Sequence, residues 1–365
     1  MANERKETFL PDYAIPPGET LLETLEAMGM SQKELAIRIG LSEKHIVDIV
    51  KGVGPITPDT ALKLERALGI PASFWNNLER NYRDTLARLE EEKRLRQDVK
   101  WLEEIPVAAL VRRGYIQGHK DKTKTLQEVL GFYGASSPRQ WSELWQNNRF
   151  HARRSRAFDE KPGAVSAWMR IGELAAQRIE CAVYDRARFK QALKEIRGLT
   201  VENAEAFQPN VRQLCADAGV AVVFVKEIPG IRLSGVTRWL TPDKALIQLS
   251  LRYKKDDQLW FTFFHEAGHI LEHGKKEMFL EEDDGIVEEK EKQADKFAAD
   301  FLISRAAWRR FTSGRRYYSK IDIRRFAEKM GISPGIVVGR LQHENLIPFS
   351  NCNDLKKTLV WISDT

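Results

Sequence analysis

Apolar residues in the first eighty positions recur at helical spacing, in short blocks divided by clear stop signals. In the segment SQKELAIRIGLSEKHIVDIVKG, Ser31 and Glu34 form the S-x-x-E pattern that starts a helix. Leu35, Ala36 and Ile39 supply its apolar face, and Gly40 ends it where a left-handed residue is favoured. Ser42 then caps a second helix whose inward side is Ile46, Ile49 and Val50, and the small Ala36 lets the two helices approach closely. Thr57-Pro58 opens another helix, which ends at Gly69. Residues 81–100 read as a charged helix carrying Leu86, Leu89 and Leu95, expected to connect domains. From 101 to 210 the pattern stays mostly helical, broken at Gly131, Gly134, Pro138, Pro162 and Gly163, with no motif that carries chemistry.

The period changes at Gly219. Residues 220–225 are a short β-branched run, hence a buried strand, and strands are expected at 232–239 and 245–251 about a turn at Thr241-Pro242-Asp243. Two long helical patterns follow at about 257–273 and 288–303, then a helical pair at about 320–346. The expected fold class is α+β and mostly helical. A five-helix helix-turn-helix domain occupies 14–80, a helical connector 81–210, a small-sheet domain 211–312 and a C-terminal helical segment 313–365.

At 365 residues the chain exceeds one compact core, and 42% hydrophobic with 30% charged residues is ordinary for a folded protein. The polar start MANERKETF carries no secretory signal and no apolar run reaches membrane-spanning length, so a cytoplasmic protein without membrane contact is expected. Cys181, Cys215 and Cys352 are odd in number and far apart, which suits a reducing compartment. The +6 net charge is unevenly placed: residues 14–80 hold seven Lys/Arg against nine Asp/Glu, whereas 305–325 hold eight basic residues against Asp322 alone.

The first module resembles the lambda-repressor/Cro-like helix-turn-helix family. The flanking PPGETLLETLEAMGMS and ITPDTALKLERALGIPASFW are similar to HigA-type antitoxins. That resemblance implies a recognition helix beginning at Ser42, with Glu43, Lys44 and Asp48 toward base edges. Gln32, Lys33 and Lys51 would lie on the phosphate side. A homodimer on operator DNA is the expected partnership, with a toxin as a further candidate partner. The competing reading is a helical dimerisation module without DNA, which the module's net acidity favours.

The chemistry concentrates in FTFFHEAGHILEH, where three of the seven histidines fall within nine residues. On a helix His265 and His269 lie one turn apart on one face, so both imidazoles can share one Zn²⁺. Glu266 follows the first of them, where it can act on water rather than bind the metal. His273 sits about 12 Å along the axis from His265, at about 1.5 Å per residue, too far to join both on a regular helix. Beside Gly274 it reads as a helix C-terminal residue favouring the dipole. A third ligand can come from EEKEKQADKFAADFL, where Glu291 and Asp295 stand one turn apart beside an apolar face. Asp295 would then orient a ligand histidine. Taken alone, with Glu288 and Glu289 adjacent, that stretch equally reads as a solvated acidic run.

HEAGHILEH followed by EKQADKFAADFLI resembles the ImmA/IrrE family of zinc metallo-endopeptidases, over about 211–305. The resemblance implies a gluzincin-like domain with His265, His269 and Glu291 as zinc ligands and Glu266 as catalytic base. It also implies a protein substrate of the repressor-like regulator class. Tyr253, Tyr317, Tyr318 and His343 are the candidates for stabilising an oxyanion. The rival is a HigA-type antitoxin or repressor whose metal domain senses or assembles without turnover. The segment 320–346 repeats a helix-turn-helix-like spacing through Ala327, Gly331 and Val337, which suits either a packing unit or a DNA or partner surface.

Overall fold

The computed structural model describes residues 13–148, 161–273 and 284–361, of which 146–148 and 284–287 are described by their backbone alone. The chain divides into two compact units, Met1–Val99 and Lys100–Thr365.

The first unit is five helices: α1 (Pro17–Ala27), α2 (Gln32–Ile39), α3 (Glu43–Val50), α4 (Pro58–Leu68) and α5 (Ala72–Asp98). Their ends follow local chemistry. Ser31 Oγ accepts the Glu34 N–H at 3.1 Å, Ser42 Oγ accepts that of His45 at 3.2 Å, and Thr57 Oγ1 accepts that of Thr60 at 3.2 Å. The Glu34 carboxylate does not complete the capping box; it pairs with Arg38 one turn on, at 2.7 Å. Gly40 and Gly69 close α2 and α4 at φ 67° and 71°, which a Cβ would oppose. Leu21, Leu35, Ile46, Ile49, Leu64 and Trp75 form the fully buried core. The fifth helix runs straight through position 80, because no Gly or Pro occurs between Ala72 and Asp98 and the ion pairs Glu79–Arg83 and Glu92–Arg96 lie along it.

In the second unit a three-stranded sheet has the order β1-β3-β2, with β1 at Val220–Phe224, β2 at Gly235–Thr241 and β3 at Lys244–Leu249. β3 pairs in parallel with β1 and antiparallel with β2, so the strand expected at 245–251 is the middle of the sheet. Alternation sends Val220, Val222, Ala245 and Ile247 to one face and Ala221, Val223, Val236 and Leu246 to the other. Beyond α6 (Val107–Arg112), α7 (Lys122–Tyr133) and α8 (Pro138–Ser142), α9 (Pro162–Gln177) covers the second face through Trp168. The first face is covered by α10 (Arg186–Gly198), α11 (Ala204–Ala216) and α12 (Asp256–Glu272), through Phe189, Phe207, Trp260 and Phe263. Helices within 81–210 thus pack on both faces of the sheet.

α12 is flanked by α13 (Asp284–Leu302), and the chain continues through α14 (Arg305–Thr312), α15 (Lys320–Met330) and α16 (Pro334–His343). Gly335 and Gly339 let α16 come so close to α12 that a Cβ at either would touch the Asp256 or Asp257 carboxylate. Gly335, Ile336, Val337, Val338 and Leu341 are accordingly buried. The second helix of the α15–α16 pair is thus packed into the fold rather than presented as a groove-reading helix. The C-terminal segment straps the start of α12: Asp256 N–H reaches Lys357 O at 3.1 Å, and Leu359 N–H reaches Lys254 O at 2.9 Å. Lys356 Nζ lies 2.7 Å from the buried Asp257 carboxylate.

Candidate metal centre

His265, Glu266 and His269 sit in the middle of α12, fixed by its large apolar face: Trp260, Phe263 and Phe264 are each at most 2% exposed. The i, i+4 spacing places both imidazoles on the side facing α13. Their Nε2 atoms stand 3.0 Å apart. Glu291, on α13, brings Oε2 to 3.5 Å from His265 Nε2 and Oε1 to 3.4 Å from His269 Nε2. The expected ligand trio is therefore brought together, with one ligand atom from each within 4.8 Å of the others.

The outer ring of contacts explains how the donors are aimed. Asp295 Oδ1 lies 2.7 Å from His265 Nδ1; a carboxylate only accepts there, so Nδ1 carries the proton and the Nε2 lone pair points inward. On the other side His269 Nδ1 lies 3.0 Å from His273 Nδ1. With His273 accepting, the His269 lone pair also points inward. In that tautomer two imidazole lone pairs and a carboxylate converge at 3.0–3.5 Å, a donor set that a cation between them would neutralise. For tetrahedral Zn²⁺ with bonds of roughly 2.0–2.2 Å, the donor–donor edges are about 3.2–3.6 Å; both Glu291 distances fall in that range and the Nε2–Nε2 distance just below it, so a small adjustment of one imidazole lets the donor set fit this ion.

Glu266 is 4% exposed and turns from the ligand pair toward the sheet. Thr237 Oγ1 on β2 donates to its backbone carbonyl at 3.1 Å. A Cβ built at Gly235, the first residue of β2, would lie 3.0 Å from Glu266 Oε1 and 2.6 Å from the Thr262 methyl. Glycine is what allows this strand to run against the carboxylate. β2 is an edge of the sheet, with β3 its only strand partner among the described residues.

Two contributors escaped sequence reasoning. His273 does take the helix-terminal role, its N–H bonded to His269 O at 3.2 Å, but its buried imidazole also contacts the imidazole of His269, a candidate ligand. The signal was the second four-residue step in His265–His269–His273. Gly274 lies outside the described residues. Gly235 had no signal in a single sequence. Of the oxyanion candidates, Tyr318 is buried against Phe311 with its hydroxyl pKa raised by burial, and Tyr317 and His343 are exposed. Tyr253 lines a shallow cleft with Ser234, Ser250 and Thr262, on the β2 side of α12.

In the first unit, Ser42, Glu43 and Lys44 lie exposed at the start of α3, with Asp48 half-buried farther along it. Lys33 and Lys51 are exposed and Gln32 is half-buried. None of these seven is needed for the core. No described helix is long and apolar enough to cross a membrane.

Comparison with known proteins separates the two units in the same way. Residues 21–75 match the helix-turn-helix family model, and residues 218–342 match the model of the IrrE N-terminal-like domain. The virulence-associated protein I of Dichelobacter nodosus is 43% identical over 70 residues, covering 19% of this chain and 65% of that protein. The chain thus spans a little under two thirds of the length of that curated relative. Among solved structures, an addiction module antidote protein of the HigA family from Coxiella burnetii is 32% identical. It covers 23% of this chain and 94% of its own, at a TM-score of 0.22. A putative antidote protein of a plasmid maintenance system from Nostoc punctiforme is 27% identical over 23% of this chain and 92% of its own, at a TM-score of 0.23. This chain therefore joins a helix-turn-helix domain at its N-terminus to an IrrE N-terminal-like domain in its C-terminal half.

Proposed function

We propose that the protein is a cytoplasmic DNA-binding regulator whose second unit is a zinc-dependent endopeptidase acting on a repressor-like protein. The observation that carries the enzymatic part is the convergence of His265, His269 and Glu291, with the separate carboxylate of Glu266 one residue from the first ligand. Zn²⁺ held by those three residues would supply a Lewis acid that polarises the scissile carbonyl and acidifies water at the site. Asp295 and His273 keep the two histidines in the tautomer that presents Nε2. Glu266 takes the proton of the attacking water, and returns it to the amine nitrogen as the C–N bond breaks. β2, an edge strand among the described residues and adjacent to Glu266, suits an extended peptide, which would add as a strand through main-chain hydrogen bonds. That requirement selects an unstructured or locally opened segment of the substrate. In the first unit, Ser42 at the start of α3 would set a recognition helix whose Glu43, Lys44 and Asp48 read bases, and a homodimer would bind operator DNA.

The test incubates zinc-loaded wild type and Glu266→Gln with operator DNA and the regulators encoded beside the gene, with fragments read by mass spectrometry. Specific fragments from wild type alone are expected. Identical patterns from both proteins would overturn proteolysis and leave a repressor or antitoxin whose metal domain senses or assembles.

A further inference from the structure

The first unit should bind a polyanion, yet between 14 and 80 it carries seven basic against nine acidic residues. The chain's positive charge is concentrated elsewhere, in 305–325. There α14, the loop 313–319 and α15 are welded into one surface from beneath. Phe311 and Phe326 stack at 4.1 Å, with Trp308 and Tyr318 packed beside them. Three of the eight basic side chains are used within the fold: Arg305 pairs with Asp300, Arg315 with Asp322, and Lys320 with Asp354. The other five, Arg309, Arg310, Arg316, Arg324 and Arg325, are exposed, and no carboxylate among the described residues pairs with them. Glu328, one turn past Arg324, is the acidic residue on the exposed side of α15. Tyr317 and Ile321 stand among these arginines 79% and 67% exposed.

Five exposed guanidinium groups on so short a stretch repel one another; Arg310 also bonds the Ala306 carbonyl one turn back and Arg324 lies near Asp354, but none of the five is held in a direct carboxylate pair among the described residues. All five are arginine, whose planar fork binds phosphate oxygens in pairs, where lysine offers a point charge. A duplex phosphate backbone, carrying one charge per about 1.7 Å of axis, complements such a surface. We propose that the exposed side of α14, loop 313–319 and α15 is a second, sequence-independent DNA contact, gripping phosphates of the duplex. It is separate from the helix-turn-helix and from the metal centre, and it supplies the electrostatic attraction that the acidic first unit lacks.

The experiment measures binding of the full-length protein to a random-sequence duplex across a salt series. The wild type is compared with a variant carrying Arg309→Gln, Arg310→Gln, Arg316→Gln, Arg324→Gln and Arg325→Gln. Each phosphate contact contributes about −0.9 to the slope of log K against log salt, so the variant should lose about 3–4 from the slope if most of the five engage. Its affinity near 0.1 M salt should fall at least tenfold. Replacing the same five by lysine should retain most of the binding; a lysine variant as weak as the glutamine one would show that phosphate charge is not the cause, and would overturn the proposal. So would an unchanged slope in the glutamine variant, or loss of binding to an acidic polypeptide with duplex binding intact. A Lys44→Ala, Lys51→Ala protein separates the two DNA sites: its random-duplex binding weakens through the helix-turn-helix, but adding the five glutamine substitutions should cost it the same further loss of about 3–4 in slope as they cost the wild type, and no further loss would overturn the proposal.

Discussion

His273, beside His269, bears on how the candidate metal trio would be aimed from outside it. A neutral imidazole that accepts from His269 Nδ1 aims Nε2 inward but polarises it less than the Asp295 carboxylate polarises His265. His273→Ala and Asp295→Ala should each weaken zinc binding by about 10–100-fold in competition with a chromogenic chelator, while His265→Ala or His269→Ala abolishes it. Glu266→Gln should keep full metal content and lower kcat by about 10²–10⁴-fold, because it removes proton transfer and no ligand. The two measurements together separate an aiming role from a chemical one. At this scale the sequence was legible where a motif has fixed spacing: His265, Glu266 and His269 follow from a four-residue step on a helix. It was silent on Gly235, whose importance comes from a carboxylate on an element thirty residues away. Gly235→Ala should cut peptidase activity with metal retained, since the new methyl presses on Thr262 and Glu266.

Element ends were also legible, because caps act over three or four residues. Ser31, Ser42, Thr57, Gly40 and Gly69 all hold the positions their chemistry favours. Ser42→Ala should cost the first unit about 1 kcal/mol in chemical denaturation and shift the start of α3. The strap over α12 is a different kind of feature. Lys356 and Asp257 are 9% and 3% exposed at the side chain and form one ion pair across about a hundred residues of chain. Removing one partner leaves a buried charge, so Lys356→Ala should destabilise the second unit by about 3–5 kcal/mol. Lys356→Met with Asp257→Leu should recover most of that loss in the same denaturation experiment. Nothing in the pattern near 356 announces this contact, because its partner is chosen by the way α12 and the C-terminal segment meet.

For the whole molecule, the two proposed activities predict distinct behaviour toward ligand removal and toward DNA. Chelation should lower the melting temperature of the second unit alone, since a site occupied at about 1,000 times its Kd adds about 4 kcal/mol to the folded state. A dimer reading DNA through α3 should protect a palindrome whose half-site centres are about 34 Å apart, or a multiple of it, in footprinting. Periodicity, caps and spacing, which are short-range properties, determined the five-helix module, the three strands, the α12 and α13 helices and the residues able to hold a metal. Tertiary structure decided the rest. It put β3 in the centre of the sheet and left β2 as the edge beside Glu266, because strand order depends on long-range pairing. It turned the helical stretch before 177 into the second cover of that sheet, and buried α16 against α12 through two glycines. It also brought Glu291, which spacing alone left within a run of similar acids and the family resemblance singled out, within reach of both imidazoles, through the packing of α13 on α12.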